Sequence, residues 1–150
     1  MTRVLAPVRG RVVGLAGVPD PLFAQAMVGP GTAIDPVREP GEAVAPIDGR
    51  IVKLHPHCYV VLGAEGHHGI LVYLGVDTVE LKGTGFELLA AEGDRVVAGQ
   101  PLIRWNPAEV AAGGRSPVCP VIALDAGIEA LSDVAVPGDI ECGGALFTWT

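Results

Sequence analysis

Two histidines stand one residue apart in the run His55-Pro56-His57. In a strand, alternate side chains point to one face, so the two imidazoles could contact a metal ion or a phosphate together. Zinc metallopeptidases that use an H-x-H pair also need an upstream histidine and an aspartate as ligands. Because no histidine precedes His55, a peptidase site is excluded, whereas a phosphate-directed pair and a structural pair both stay open.

A second pair of histidines lies in the run Gly66-His67-His68-Gly69, where glycines flank an expected hairpin turn. Histidines in such turns are usually solvated, and we expect His67 and His68 to be exposed. The glycine-rich residues 29–36 are not followed by a helix that begins with Lys-Ser/Thr, so they do not form a phosphate-binding P-loop.

Three cysteines, Cys58, Cys119 and Cys142, give an odd number with no closely spaced pair. This usage argues against a disulfide framework or a structural zinc site, and we expect small, buried side chains. The only lysines, Lys53 and Lys82, lie outside the turns that carry biotinyl or lipoyl groups in carrier domains. We therefore expect no cofactor and no metal ion.

The 150 residues are 49% hydrophobic and 18% charged, which excludes disorder. With 21 glycines and 13 prolines, the chain favours short strands and turns over long helices. The net charge of −7 argues against nucleic acid and anionic membranes as partners and would suit a basic protein.

The N-terminus reaches an arginine and a proline within residues 1–7, too early for a signal peptide. No apolar stretch approaches the length of a membrane span. These features predict a cytoplasmic protein without direct membrane insertion.

Two motifs occur twice. Residues 6–15 (APVRGRVVGL) return as residues 45–54 (APIDGRIVKL), and a looser glycine-aspartate motif in residues 93–105 returns in residues 138–149. The copies nest, so one pair encloses residues 45–105 and the other lies near both termini. The duplication predicts a single domain over residues 1–150 with pseudo-twofold symmetry and adjacent chain ends.

Local patterns favour an all-β fold, an antiparallel sandwich or barrel with few short helices. Residues 49–54, 59–62 and 69–75 read as strands, the last apolar on both faces and hence interior. Helical candidates are short and cover residues 20–27, 107–112 and 127–132.

Several segments resemble the glucose-type IIA component of the phosphoenolpyruvate-dependent sugar phosphotransferase system. They are residues 31–36 (GTAIDP), 45–49 (APIDG), 92–99 (EGDRVVAG) and, above all, 75–86 (GVDTVELKGTGF). The resemblance runs from about residue 5 to the C-terminus. It implies a compact antiparallel β sandwich that takes a phosphoryl group from the histidine phosphocarrier HPr and passes it to the IIB domain of a IIB/IIC sugar permease.

In this family two histidines on neighbouring strands face each other in a shallow apolar depression. By motif position, His57 matches the histidine that supports the phosphoryl group. The phosphorylated histidine stands two residues before the glycine of the GVDTV motif, and that position is Tyr73 here. The resemblance also places Asp77 and Val79 in the partner-binding rim, although Asp77 could instead cap a turn.

Tyr73 puts phosphoryl transfer by this chain in doubt. A phenol has an ordinary pKa of about 10 and is protonated at neutral pH, and its phosphate ester is far less labile than a phosphohistidine. Three hypotheses stay open: a phosphocarrier by family, a binding or regulatory module that carries no phosphoryl group, and an active parent altered by an engineered substitution.

Overall fold

A computed structural model describes residues 1–64, 66 and 68–150. The first half of the described chain is a series of short strands separated by turns. These strands are β1 (Thr2–Leu5), β2 (Gly10–Val12), β3 (Gly31–Pro36), β4 (Gly41–Val44), β5 (Gly49–His55), β6 (Cys58–Gly63) and β7 (Gly69–Tyr73).

The second half continues with strands of two to five residues. They are β8 (Glu87–Leu88), β9 (Arg95–Val96), β10 (Pro101–Trp105), β11 (Cys119–Ala123), β12 (Leu131–Ser132), β13 (Gly138–Ile140) and β14 (Ala145–Trp149).

Helices are few and short, as the sequence predicts. They comprise α1 (Pro21–Ala24), α2 (Pro107–Ala112) and three 3-10 turns at Leu15–Gly17, Thr78–Leu81 and Ile128–Ala130. Each α-helix begins with a proline, and the preceding Asp20 or Asn106 accepts a hydrogen bond from the backbone two residues later. No helix in the described part of the chain is long and apolar enough to cross a membrane.

The strands form three antiparallel sheets. An eight-stranded sheet has the order β13-β2-β3-β11-β7-β6-β5-β9, and two three-stranded sheets have the orders β1-β14-β12 and β4-β10-β8. β7 is interior to the large sheet, with Ile70 and Val72 in the main core and Leu71 in a second cluster on the opposite face. The predicted antiparallel β sandwich with internal duplication is confirmed.

The repeated motifs make equivalent hydrogen bonds. The backbone N–H of Gly99 donates to the Ala45 carbonyl at 2.9 Å, and that of Gly143 donates to the Ala6 carbonyl at 2.8 Å. The pairing of β1 with β14 places both chain ends in one sheet, as the nested repeats predict. The same type of hydrogen bond thus lies beside each three-stranded sheet, β4-β10-β8 in one copy of the repeat and β1-β14-β12 in the other.

Both small sheets pack against one face of the large sheet. Phe147 and Trp149 of β14, and Ile103 and Trp105 of β10, are buried in the main core. Fully buried Tyr59 crosses this core and donates its hydroxyl hydrogen to the Val44 carbonyl at 2.7 Å. The opposite face of the large sheet is left for the segment that carries α1.

Gly75 combines a left-handed backbone with a close approach of neighbouring atoms. It ends the strand segment with a φ of +94°, and a Cβ there would lie 2.6 Å from Thr78 Cγ2 and 2.9 Å from the Ser116 carbonyl oxygen. Gly93 has the same φ of +94° but nothing within 4 Å of its Cβ position. A substitution at Gly93 therefore tests the cost of backbone strain alone, whereas one at Gly75 tests backbone strain together with steric overlap.

We expect Gly93→Ala to lower the free energy of unfolding by roughly 1 kcal/mol, the cost of a left-handed backbone with a side chain. Gly75→Ala should lower it by about 1–3 kcal/mol more, because atoms must also move apart. Urea denaturation of both variants measures the difference, and equal losses would contradict the steric argument.

Candidate functional site

His57 lies in the two-residue turn between β5 and β6 rather than within a strand. The prediction that His55 and His57 alternate along one strand is therefore wrong: His55 ends β5, and the chain reverses at Pro56 and His57. The turn is fixed from the neighbouring strand, because the backbone N–H of Leu74 donates to the His57 carbonyl at 2.8 Å. This bond places His57 beside the end of β7.

Tyr73 is the last residue of β7 and stands directly opposite Cys58 of β6. Its half-buried ring lies 5.8 Å from the His57 ring, measured between centroids, with a tilt of 55°. Phe23 of α1 packs edge-on against the other side of Tyr73 at 5.1 Å. The structure thus brings the rings of His57 and Tyr73 close together, with Phe23 of α1 packed against Tyr73.

His55 places a second imidazole beside His57. Its ring stacks on that of His57 with centroids 5.9 Å apart and an interplanar angle of 22°. The tight turn, rather than strand alternation, brings the two rings together. His55 is exposed, whereas His57 is half-buried.

Burial sets the protonation of the site. The pKa of His57 is lowered by burial and, to a smaller extent, by the charge of His55. The pKa of Tyr73 is raised by burial first, then by Cys58 and Asp20, and burial raises the pKa of the Cys58 thiol to about 11. At neutral pH the site therefore holds an uncharged imidazole beside a protonated phenol and a protonated thiol.

Asp77 and Val79, which the resemblance places in the partner-binding rim, follow Tyr73 by four and six residues. Exposed Asp77 has a left-handed backbone, with a φ of 61°, and opens the 3-10 turn Thr78–Leu81 without a side-chain capping bond. Val79 within this turn is 58% exposed. The neighbouring Glu80 is held by Arg115 at 3.3 Å. The turn therefore presents an apolar side chain between carboxylates, and Asp77 does not serve as a cap.

His68 does not behave as a solvated turn residue, and that expectation is wrong. Its ring is half-buried and stacks on Trp149 at 3.9 Å, and its Nδ1 lies 2.8 Å from the Thr2 hydroxyl. His67, for which the same expectation was stated, lies outside the described residues. His68 therefore connects the β6–β7 hairpin to the sheet that holds the chain termini.

The cysteines follow their prediction only in part. Cys58 and Cys119 are buried, whereas Cys142 is exposed, and all three are free thiols. Within the described residues, no group of three histidine, cysteine, aspartate or glutamate side chains is arranged to hold a metal ion.

Sequence reasoning did not identify Phe23 or Asp20 as parts of this site. Both come from the segment around α1, some fifty residues before Tyr73 in the chain, and the only signal was a short helical pattern over residues 20–27. The second apolar cluster explains their position, because Val18 and Phe23 pack on Leu71 and Val76.

A duplicated antiparallel β sandwich in which the His57 and Tyr73 rings lie side by side has the architecture of a sugar phosphotransferase IIA component. The sequence model of the phosphoenolpyruvate-dependent sugar phosphotransferase system EIIA 1 family matches residues 2–127. The chain belongs to this family.

Relatives and a solved structure agree with this assignment. The glucose-specific EIIA component of Staphylococcus aureus strain COL is 40% identical over 120 residues, which are 79% of this chain and 71% of that protein. The Staphylococcus epidermidis component is 40% identical over 121 residues, or 80% of this chain and 72% of that protein. The solved glucose permease IIA from Mycoplasma capricolum matches with a TM-score of 0.88 and 32% identity, covering 97% of this chain and 93% of that one.

The lowered pKa of His57 can be tested by imidazole NMR titration. We expect His57 to titrate below its ordinary value of about 6.5 and to move part of the way back in His55→Ala, because burial remains after the neighbouring charge is removed. His68→Ala, which alters a distant imidazole, should leave it unchanged.

The same shift predicts a pH dependence of stability. Because the pKa of folded His57 is lowered, its contribution is complete above about pH 6.5 and is lost as the pH falls through the folded value. A His57→Gln variant should therefore lose less stability between neutral and mildly acidic pH than the parent. Parallel stability curves for the two proteins would contradict the assigned shift.

Proposed function

We propose that this chain is a IIA module that docks the protein partners of a sugar phosphotransferase system without taking a phosphoryl group at the acceptor position. The observation that carries the proposal is the Tyr73 phenol, half-buried between His57 and Phe23, at the position that matches the family's phosphorylated histidine. The fold and the rim of the site would be retained, and only the acceptor chemistry would be lost.

Transfer to Tyr73 would require its oxygen to attack phosphorus while the P–N bond of the donor phosphohistidine breaks. The phenol proton would have to leave in the same process. Burial, Cys58 and Asp20 all raise the pKa of Tyr73, so each of them opposes that departure. A neutral phenol is a weak nucleophile, and an ester formed on it would not release its phosphoryl group readily to a permease cysteine.

Docking depends on features that the tyrosine leaves in place. Val79 is 58% exposed, and Leu22 of α1, the neighbour in sequence of Phe23, is 53% exposed. Asp77 and Glu80 supply carboxylates beside the apolar patch. Basic residues of a partner, HPr or the IIB domain of a permease, would pair with the Asp77 carboxylate while the partner covers the exposed valine and leucine.

Phosphorylation provides the direct test of the acceptor position. We expect no stoichiometric label on the parent chain after incubation with labelled phosphoenolpyruvate, the energy-coupling enzyme and HPr. Tyr73→His should become labelled through an acid-labile P–N bond, and Tyr73→Phe should stay unlabelled like the parent.

Two outcomes would overturn the proposal. Acid-labile label on the parent, mapped to His57 or another histidine, would make the chain a phosphocarrier. Acid-stable label that disappears in Tyr73→Phe would make Tyr73 itself the acceptor.

The docking surface can be tested separately by calorimetry with unphosphorylated HPr. We expect Val79→Arg to weaken binding by roughly tenfold or more, since it places a charge at the centre of the apolar rim. Val136, which is 80% exposed and lies on the segment after β12, supplies a matched control. Val136→Arg should bind like the parent, and equal loss in both variants would place the interface elsewhere.

A further inference from the structure

The outer face of the large sheet carries a row of polar side chains that the proposed docking function does not use. His55, Cys58 and Tyr73 lie in register across β5, β6 and β7, because His55 pairs with Cys58 and Cys58 pairs with Tyr73. Lys53 pairs with Val60 one step earlier on β5, after an irregularity in the ladder between Ile51 and Lys53. Alternation along the strands then places Lys53 on the same face as His55.

The apolar neighbours identify which face this is. Val60 and Tyr73 pack against the second cluster, on the side covered by α1, rather than against the main core. Lys53 and His55 are both exposed, at the border of that covered region. The Lys53 charge is also felt at Cys58, whose pKa it lowers against the larger effect of burial.

This row presents hydrogen-bond donors and a positive charge. His57 and Tyr73 offer a ring N–H and a protonated hydroxyl, and Lys53 offers an ammonium group. Among the described residues, neither Lys53 nor His55 makes an ion pair, a state that Lys53 shares with cations elsewhere on the surface such as Arg11. Asp20 is the carboxylate whose charge reaches Tyr73. What distinguishes Lys53 is its place on the same face of the sheet as His55 and Tyr73.

We infer that Lys53 and His55 enable this site to recognise phosphorylated HPr. The site would bind the phosphoryl group of HPr without accepting it. The inference rests on the proposed docking function. The phosphoryl oxygens of a phosphohistidine carry about two negative charges, and they would lie against Lys53 and the stacked imidazoles. Charge-assisted hydrogen bonds to such oxygens are about twice as strong as neutral ones.

A chain that held the group but did not accept it would distinguish two states of the same partner. Docking through Val79 and the acidic rim is common to both forms of HPr, whereas the contacts with Lys53 and His55 exist only with the phosphorylated form. The complex would therefore be more stable when phosphoenolpyruvate is abundant and the carrier is loaded.

The test is calorimetric titration of the full chain with HPr and with HPr freshly phosphorylated by phosphoenolpyruvate and the coupling enzyme. We expect the phosphorylated form to bind roughly tenfold more tightly, the equivalent of one charge-assisted contact. Lys53→Ala should reduce this preference without weakening the binding of unphosphorylated HPr, and His55→Ala should reduce the preference as well.

Arg11→Ala is the matched control, because Arg11 is an exposed cation on β2, across the sheet from β5. It should keep the full preference. Thermal melting of each variant verifies that these surface changes leave the fold intact.

The outcomes separate the inference from the function on which it rests. Equal affinity for both forms of HPr would overturn the inference that the site recognises the phosphoryl group, while the proposed docking function would stand. Preference for the phosphorylated form that persists in the Lys53→Ala, His55→Ala double variant would also overturn it. Failure to bind either form, or transfer of label to this chain, would instead overturn the proposed function.

Discussion

The backbone hydrogen bond from Leu74 to the His57 carbonyl, 2.8 Å long, is the constraint on which the site depends. It continues the β6–β7 ladder one step beyond the Cys58–Tyr73 pair, where His57 has already left the strand. Without that bond the turn at Pro56 would be free to carry the imidazole away from Tyr73. With this bond in place, backbone pairing determines where the His57 and Tyr73 rings lie, and their side chains pack at those positions.

The ladder itself is supported by the duplication. Matching bonds from Gly99 to Ala45 and from Gly143 to Ala6 close the two halves in the same way, so each three-stranded sheet is anchored against the large one. The main core then fills one face of the large sheet. The opposite face receives α1, whose Phe23 packs on Tyr73. A symmetric scaffold therefore supports an asymmetric site, because only one half of the duplication carries the histidine turn.

Elements fixed by local pattern could be predicted from the sequence. The interior strand β7, the short helix at Pro107–Ala112 and the pairing of the chain ends follow from apolar runs, a first-turn proline and nested repeats. The stacking of His68 on Trp149 and the cover of Phe23 could not be predicted, because each joins segments far apart in sequence through packing alone. Strand alternation predicted that His55 and His57 lie on one face, but a turn brings their rings together. Resemblance identified Tyr73 as the residue of interest, whereas the geometry shows what surrounds it.

The surroundings of Tyr73 determine what a phenol can do at this position. A histidine at this point could lose or gain a proton near neutral pH, and its nitrogen lone pair would be available for attack. The phenol is instead held in its neutral form by burial and by Asp20 and Cys58, so it donates a hydrogen bond and does not attack. Beside it, the lowered pKa of His57 keeps that imidazole uncharged, and Lys53 supplies the positive charge from the sheet edge. Such a site can stabilise a phosphoryl group that remains bonded to its donor, and the step from carrying to binding requires no change in the fold.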